Sequence, residues 1–299
     1  MTIDRGRVGI WTFALDQLPI GAAQEAAAEL DELGYGTIWL PEAVGKDPLV
    51  HAGLLLSATS TIGLATGIAS IFTRDAMAMT AAHNTLTEAF GDRFVLGLGV
   101  SHQPMVEGMR GHRYDRPLTA MRTYLEAMDQ ALYLGAAATE TPRRVIGALG
   151  PKMLALAASH ADGAHPYNVT PAHTADARLI LGADKWLAPE LAVVLETDPA
   201  VARAAGRDHL AIYLGLVNYT NNLRRLGFGD DDFADGGSNR LIDALVPWGD
   251  EATIATAVAE HHLAGADHVA VQVVVPDGTV PRAQWRRLAE ALGLPSNRP

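Results

Sequence analysis

Cysteine is absent from the 299 residues. That excludes disulfides, thiolate-ligated metals and thiol nucleophiles. Positive charge is scarce: 23 Lys and Arg stand against 34 Asp and Glu, a formal net charge of −11. This balance argues against general nucleic-acid binding, which depends on Lys and Arg contacts to phosphates. It leaves room for one local basic pocket. No apolar run approaches the roughly 20 residues of a membrane helix. The N-terminal "MTIDRGRVGIW" lacks the apolar core of a signal peptide, so a cytoplasmic protein without a membrane partner is expected. No HExxH occurs, His160, His165, His173 and His209 lack ligand spacing, and the adjacent His261 and His262 would point apart on a helix; no metal site is expected. No linker rich in Pro, Gly or Ser interrupts the chain, and 1–299 is read as a single domain.

What is present is an alternation. Apolar strands at "VGIWTFAL" (8–15), "TIWLPE" (37–42), "GLATGIASI" (63–71), "RFVLGLGV" (93–100), "RRVIGAL" (143–149), "ADGAHPY" (161–167), "ELAVVLET" (190–197) and "DHVAVQVVV" (267–275) are nearly all separated by helical stretches. In the first helix Ala23, Ala26, Ala27, Leu30 and Leu33 share a face, and Gly34 supplies the stop. The stretch 198–219 reads as one long helix, and "GFGDDDFADGGSN" (227–239) as a flexible acidic surface loop or a lid. Strands buried on both faces read as continuous apolar runs, and strand–helix alternation implies a parallel sheet. Eight such units in about 300 residues predict a (β/α)8 TIM barrel.

A barrel works at the C-terminal ends of its strands, which gives a residue list without any motif. Strand one ends near Trp11 and Phe13, strand two at Glu42, and strand three at Gly67, Ile68, Ala69 and Ser70. Strand four ends at Ser101 and His102, strand five at Gly147 to Gly150, and strand six at His165 and Tyr167. "GALGPKM" (147–153) has glycines that admit a ligand to the backbone, Pro151 at a first helical position and Lys152 beside it, a pattern suited to phosphate at a helix N-terminus. A plain strand-to-helix turn with a solvated lysine fits the same residues. "GLG" (97–99) lacks the third glycine of a dinucleotide fingerprint, and "GVSHQ" (99–103) has Gln103 where a nucleophile elbow needs glycine. His102 is a candidate proton donor or acceptor, and Glu42 a second acid–base group or, alternatively, a partner in an ion pair.

The segments "GIWTF", "ELGYGTIWLPE", "IGLATGIASIFTRDAMAMTAAHNTLTEAFGDRFVLGLGVSH", "RPLTAMRTYLEAMD", "VIGALGPKMLALAASHADGAHPY" and "HLAGADHVAVQV", in this order, resemble the bacterial luciferase-like superfamily, and within it the actinobacterial branch that uses the deazaflavin coenzyme F420. The resemblance implies a TIM barrel holding the cofactor at its C-terminal face, hydride transfer to or from a small organic substrate, and a homodimer. It implies a non-proline cis peptide at Gly67–Ile68. It implies cofactor contacts from Glu42, Gly67, Ile68, Ala69, Ser101, His102, Gly147, Ala148, Leu149, Gly150, Pro151, Lys152 and His165, with His102 and Glu42 as catalytic candidates. Relatives often carry glutamate after strand four, where this chain has His102. F420 carries a polyglutamate tail, for which Arg110, Arg113 and Arg116 are candidates. An FMN-dependent monooxygenase on the same fold is the nearest alternative, followed by a non-catalytic F420-binding protein and a cofactor-free hydrolase.

Overall fold

The computed structural model describes residues 5–275 and 278–296. Its strands are β1 (Val8–Trp11), β2 (Thr37–Leu40), β3 (Gly63–Thr66), β4 (Ala69–Ser70), β5 (Phe94–Gly99), β6 (Arg143–Ile146), β7 (Gly163–Ala164), β8 (Trp186–Leu187), β9 (Glu190–Val193) and β10 (Val269–Val273). All pair in parallel in one sheet, in the order β8-β7-β6-β5-β3-β2-β1-β10-β9, with β4 attached to β5. Helices α1 (Ile20–Glu32), α2 (Pro48–Leu56), α3 (Ala76–Phe90), α4 (Pro117–Asp129), α5 (Pro151–His160) and α6 (Pro171–Leu181) return the chain between strands. Between β9 and β10 come α7 (Pro199–Leu214), α8 (Val217–Arg225), α9 (Asp230–Phe233), α10 (Asn239–Leu245) and α11 (Glu251–Leu263), and α12 (Arg282–Ala291) follows β10.

The two-residue period of a strand divides its side chains between two cores. Ile38, Leu40, Leu64, Phe94 and Leu96 pack outward into the helices. Trp11, Trp39, Ala65, Val95, Val145, Trp186, Ala188 and Ala270 meet on the concave face. Both faces are covered, which explains why the strands read as unbroken apolar runs. Aspartates cap the outer helices: Asp47 accepts from the N–H groups of Leu49 and Val50, and Asp75 from that of Ala78.

Three local readings change. The third strand is two pieces, β3 and β4, separated by Gly67 and Ile68. The long helix expected over 198–219 breaks at Gly215 and Leu216 into α7 and α8. The acidic stretch 227–239 is folded: the Asp232 carboxylate accepts from the Gly229 N–H, the Ser238 hydroxyl and Arg240, which pins the short helix α9.

Gly97 shows how close the sheet packing is. A Cβ there would lie 1.8 Å from the Thr66 carbonyl oxygen. The Thr66 hydroxyl donates to the Gly97 carbonyl at 2.6 Å and accepts from its N–H at 2.8 Å. Gly97→Ala must push two backbones apart and is expected to cost about 1–3 kcal/mol or more, as overpacking does. Thermal unfolding of the variant should show a midpoint lower by several degrees; an unchanged midpoint would remove this account of the glycine.

Candidate active site

The C-terminal ends of the strands open onto a cavity of ≈ 270 Å³. Of the residues expected at the site from sequence, Glu42, Gly67, Ile68, Ser101, His102, Gly147, Ala148, Leu149 and His165 line it. Ala69, Gly150, Pro151 and Lys152 do not. The rest of the lining includes Trp11, Phe13 and Tyr167 from strand ends and Ile212, Tyr213, Leu216, Asn218 and Tyr219 from α7, the 215–216 break and α8.

One wall is the break between β3 and β4. The Gly67–Ile68 peptide is cis. Three of its backbone groups are paired: Gly67 N–H donates to the Leu40 carbonyl at 2.8 Å, the Trp11 indole donates to the Gly67 carbonyl at 2.9 Å, and Glu42 N–H donates to the Ile68 carbonyl at 3.2 Å. A Cβ on residue 67 would meet the Trp11 indole nitrogen at 2.6 Å and His165 Nε2 at 3.0 Å.

Glu42 lines the cavity and braces this wall through an ion pair, the second of its two sequence readings. Its Oε2 accepts from Ser70 N–H at 2.7 Å and the Thr73 hydroxyl at 3.1 Å, and its Oε1 accepts from Arg74 at 2.8 Å. Arg74 also pairs with Asp47. Both oxygens are committed, so the carboxylate positions the β4 backbone.

His102 follows β5, the strand that pairs with β4, and comes after Ser101, whose φ of 54° is unusual for a residue with a side chain. Its Nδ1 is buried without a hydrogen-bond partner. Burial holds the imidazole below the usual 6.5, and the Asn218 side chain opposes that by favouring the charged form. The Tyr219 ring lies 5.6 Å away at 45°. The imidazole is thus largely neutral and able to accept a proton at neutral pH. Beyond it, Pro104–Met109 forms a single π-helical stretch rather than an open loop.

His165 differs in kind. Its Nδ1 faces the Ala188 carbonyl at 2.6 Å. A carbonyl only accepts, so Nδ1 carries the proton and Nε2 is left as a lone pair with no partner. The ring stacks on Trp39 at 4.0 Å and 9°, and burial pushes its pKa down to about 4. It is a fixed neutral acceptor on the cavity wall.

The turn after β6 leads into α5, whose first N–H groups have no intrahelical acceptor. His173 holds this turn by donating from Nε2 to the Leu149 carbonyl at 2.8 Å. The cation at the turn is Arg225 from the end of α8: a Cβ on Gly150 would lie 3.2 Å from its Nη2. Lys152 is exposed and, like Arg225, is not part of the cavity lining. Arg225 has no carboxylate within 4 Å among the described residues. The other basic candidates are engaged: Arg110 donates to the Ala43 carbonyl at 3.0 Å, and Arg113 and Arg116 flank Asp115 at the surface.

Residues 7–268 match the family described as luciferase-like monooxygenase. The chain belongs to this family. Among relatives in it, a protein of Mycobacterium tuberculosis named as a coenzyme F420-dependent oxidoreductase is 26% identical over 258 residues, covering 68% of this chain and 73% of that one. An F420-dependent secondary alcohol dehydrogenase, solved with an F420-acetone adduct, superposes with a TM-score of 0.77 at 14% identity, covering 98% and 99% of the two chains. The oxygenating constituent of 3,6-diketocamphane monooxygenase from Pseudomonas putida, solved with FMN, superposes with a TM-score of 0.69 at 12% identity, covering 97% of each. Identities this low establish the shared luciferase-like fold. The residues that the strand-end reading did not include, Tyr213, Asn218, Tyr219 and Arg225, come from α7 and α8.

Proposed function

We propose that the chain is an F420-dependent oxidoreductase transferring a hydride between the deazaflavin and a small organic substrate, as the 26% identical relative is named to be. The observation that carries the reading is one cavity lined by the Gly67–Ile68 wall, by Gly147, Ala148 and Leu149 and by a half-buried imidazole at His102, with Arg225 against Gly150 outside that lining. When bound, the deazaflavin supplies the hydride. The residues present fit it: His165 Nε2 is an orphaned buried acceptor for a ring N–H, and the start of α5 with Arg225 suits a phosphate. Ala148, Leu149 and Ile68 give apolar surface to a flat ring. His102 takes the proton from, or returns it to, the substrate oxygen.

We infer further that the sheet closes as the (β/α)8 barrel. Its two path ends, β8 and β9, are joined by Ala188 and Pro189. Ala188 N–H donates to the Ala164 carbonyl on one side, and Ala270 N–H to the Pro189 carbonyl on the other. The same reading takes residues 1–299 as one domain acting in the cytoplasm as a homodimer.

Arg225→Ala is expected to weaken F420 binding by about tenfold, the size of one charge-assisted hydrogen bond to phosphate. Lys152→Ala is expected to change it little. Fluorescence titration of both variants checks this; equal losses, or a larger loss at Lys152, would return the phosphate contact to the lysine.

A further inference from the structure

The concave face of the sheet is filled in an unusual way. Barrel interiors are ordinarily packed with branched aliphatic side chains. Here the cluster holds three tryptophans, Trp11, Trp39 and Trp186, with Val95 and Val145 as its branched aliphatics. Two buried histidines lie against the tryptophans. His268 sits 5.9 Å from Trp39 and 5.3 Å from Trp186, and His165 stacks on Trp39. A polar group in such surroundings is costly unless it is hydrogen-bonded. His268 meets this condition at both nitrogens. Its Nδ1 faces the Gly6 carbonyl at 2.7 Å and so carries the proton, and its Nε2 accepts from the Trp39 indole N–H at 3.1 Å. Burial pushes its pKa down to about 3, so this arrangement persists at neutral pH. Gly9 makes the space, since a Cβ there would lie 2.6 Å from His268 Nε2. The Trp39 ring is thereby tethered by a hydrogen bond, and Trp186 stacks on it at 5.5 Å and 19°.

These tethers form a series. The Gly6 carbonyl holds His268, His268 holds Trp39, and Trp39 presents a flat face to His165 at 4.0 Å and 9°. Of the three rings, His165 alone keeps a nitrogen without a partner, Nε2. That nitrogen lies at the Gly67 wall, 3.0 Å from where a Cβ on residue 67 would be. On its other side the ring has one hydrogen bond, from Nδ1–H to the Ala188 carbonyl. A ring that turned over about its Cβ–Cγ bond would lose Ala188 and present a carbon to the wall in place of Nε2. We propose that Trp39 and His268 are positioning residues for the cofactor site: through the stack they hold His165 in one orientation, with Nδ1–H on Ala188 and Nε2 kept for the cofactor. The assignment of Nε2 to the cofactor rests on the F420 reading of the cavity; the orientation of the ring does not. The tryptophan and histidine that replace aliphatic packing on this face are then explained together, one as the flat support and the other as the acceptor that satisfies its N–H.

The test compares three variants. Trp39→Leu removes the flat support. Trp39→Phe and His268→Leu each break the Trp39–His268 hydrogen bond and keep a ring under His165. All three disturb the packing, so all three should unfold at lower temperature. The readout is the tautomer of His165 by long-range proton–nitrogen NMR on histidine-labelled protein at neutral pH, assigned with His165→Gln. The wild type should show Nδ1–H alone. Trp39→Phe and His268→Leu should show a minor second tautomer, with F420 affinity by fluorescence titration weaker by about two- to threefold. Trp39→Leu should show comparable populations, with affinity weaker by about tenfold, the worth of one hydrogen bond. Purely structural roles for Trp39 and His268 would lower the unfolding midpoints and leave the tautomer and the affinity alone, and that result overturns the proposal. If Trp39→Leu does not fold, the other two variants decide: a single His165 tautomer in both overturns it. Failure of the cofactor reading looks different. The wild type then does not bind F420, while the tautomer populations still follow the three variants, which supports the positioning of His165.

Discussion

Turnover of the His102→Ala variant should fall by about 10²- to 10⁴-fold, the range expected for loss of a positioned general acid–base group, while F420 still binds. The separation of the two effects follows from the geometry. His102 lines the cavity, and its Nδ1 has no protein partner to hold. The phosphate turn is secured independently by His173 and Arg225. Glu42 cannot substitute, since Ser70, Thr73 and Arg74 occupy both its oxygens. His165 cannot either, since its imidazole is locked by Ala188 and kept neutral to about pH 4. In the oxidative direction the wild type should gain activity as His102 loses its proton, at a pH below 6.5 because burial disfavours the imidazolium, and then level off. The variant should lack that limb. A variant retaining full kcat would move the proton transfer to another group.

The second large effect concerns stability. Glu190 on β9 is completely buried. Its Oε2 accepts from Asn168 N–H at 3.0 Å, and its Oε1 has no partner. Burial pushes its pKa up from 4.5 to about 8, with the Asn168 hydrogen bond opposing weakly. The unfolded chain therefore releases this proton near pH 4.5, and the folded chain keeps it to about pH 8. Between those values the folded state holds the extra proton, so stability falls as pH rises, by about 1.4 kcal/mol per pH unit, and then levels. Glu190→Gln keeps the shape and the acceptor for Asn168 and has no proton to lose. It should match the wild type near pH 4.5 and become progressively more stable toward pH 8. Buried histidines at 83, 165, 209 and 261, each held down to about 4, and at 268, to about 3, weaken both proteins on the acid side. The informative quantity is thus the difference in unfolding free energy at each pH. Parallel curves would show that Glu190 ionises freely in the folded state.

Much of this was legible in the sequence because barrel-type sheets leave a one-dimensional trace. Each apolar run ends where a strand ends, and the residues there, from Gly67 and Ile68 to Ser101, His102 and His165, converge on one cavity. What the sequence concealed depends on tertiary placement. Lys152 follows the glycine turn directly and looked like its cation, but a helix turns successive side chains in different directions. Arg225, about 75 residues further on by simple subtraction, reaches Gly150 because α8 packs across the strand ends. Asn218 and Tyr219 lay inside an apparently continuous helix. Gly215 was the available signal, a helix breaker just before "LVNY", and it marks the bend that turns Tyr213 and Tyr219 into the site. Glu42 occupies the expected place with a different task, since its three donors come from residues 70–74 beyond the next strand.

The central claim is that this luciferase-like cavity is built for a deazaflavin. Titration of the purified protein with F420 and, separately, with FMN, followed by fluorescence and calorimetry, tests it most directly. The account predicts saturable F420 binding that weakens in Arg225→Ala, with FMN binding much less tightly. Tight FMN binding with no F420 binding would contradict it.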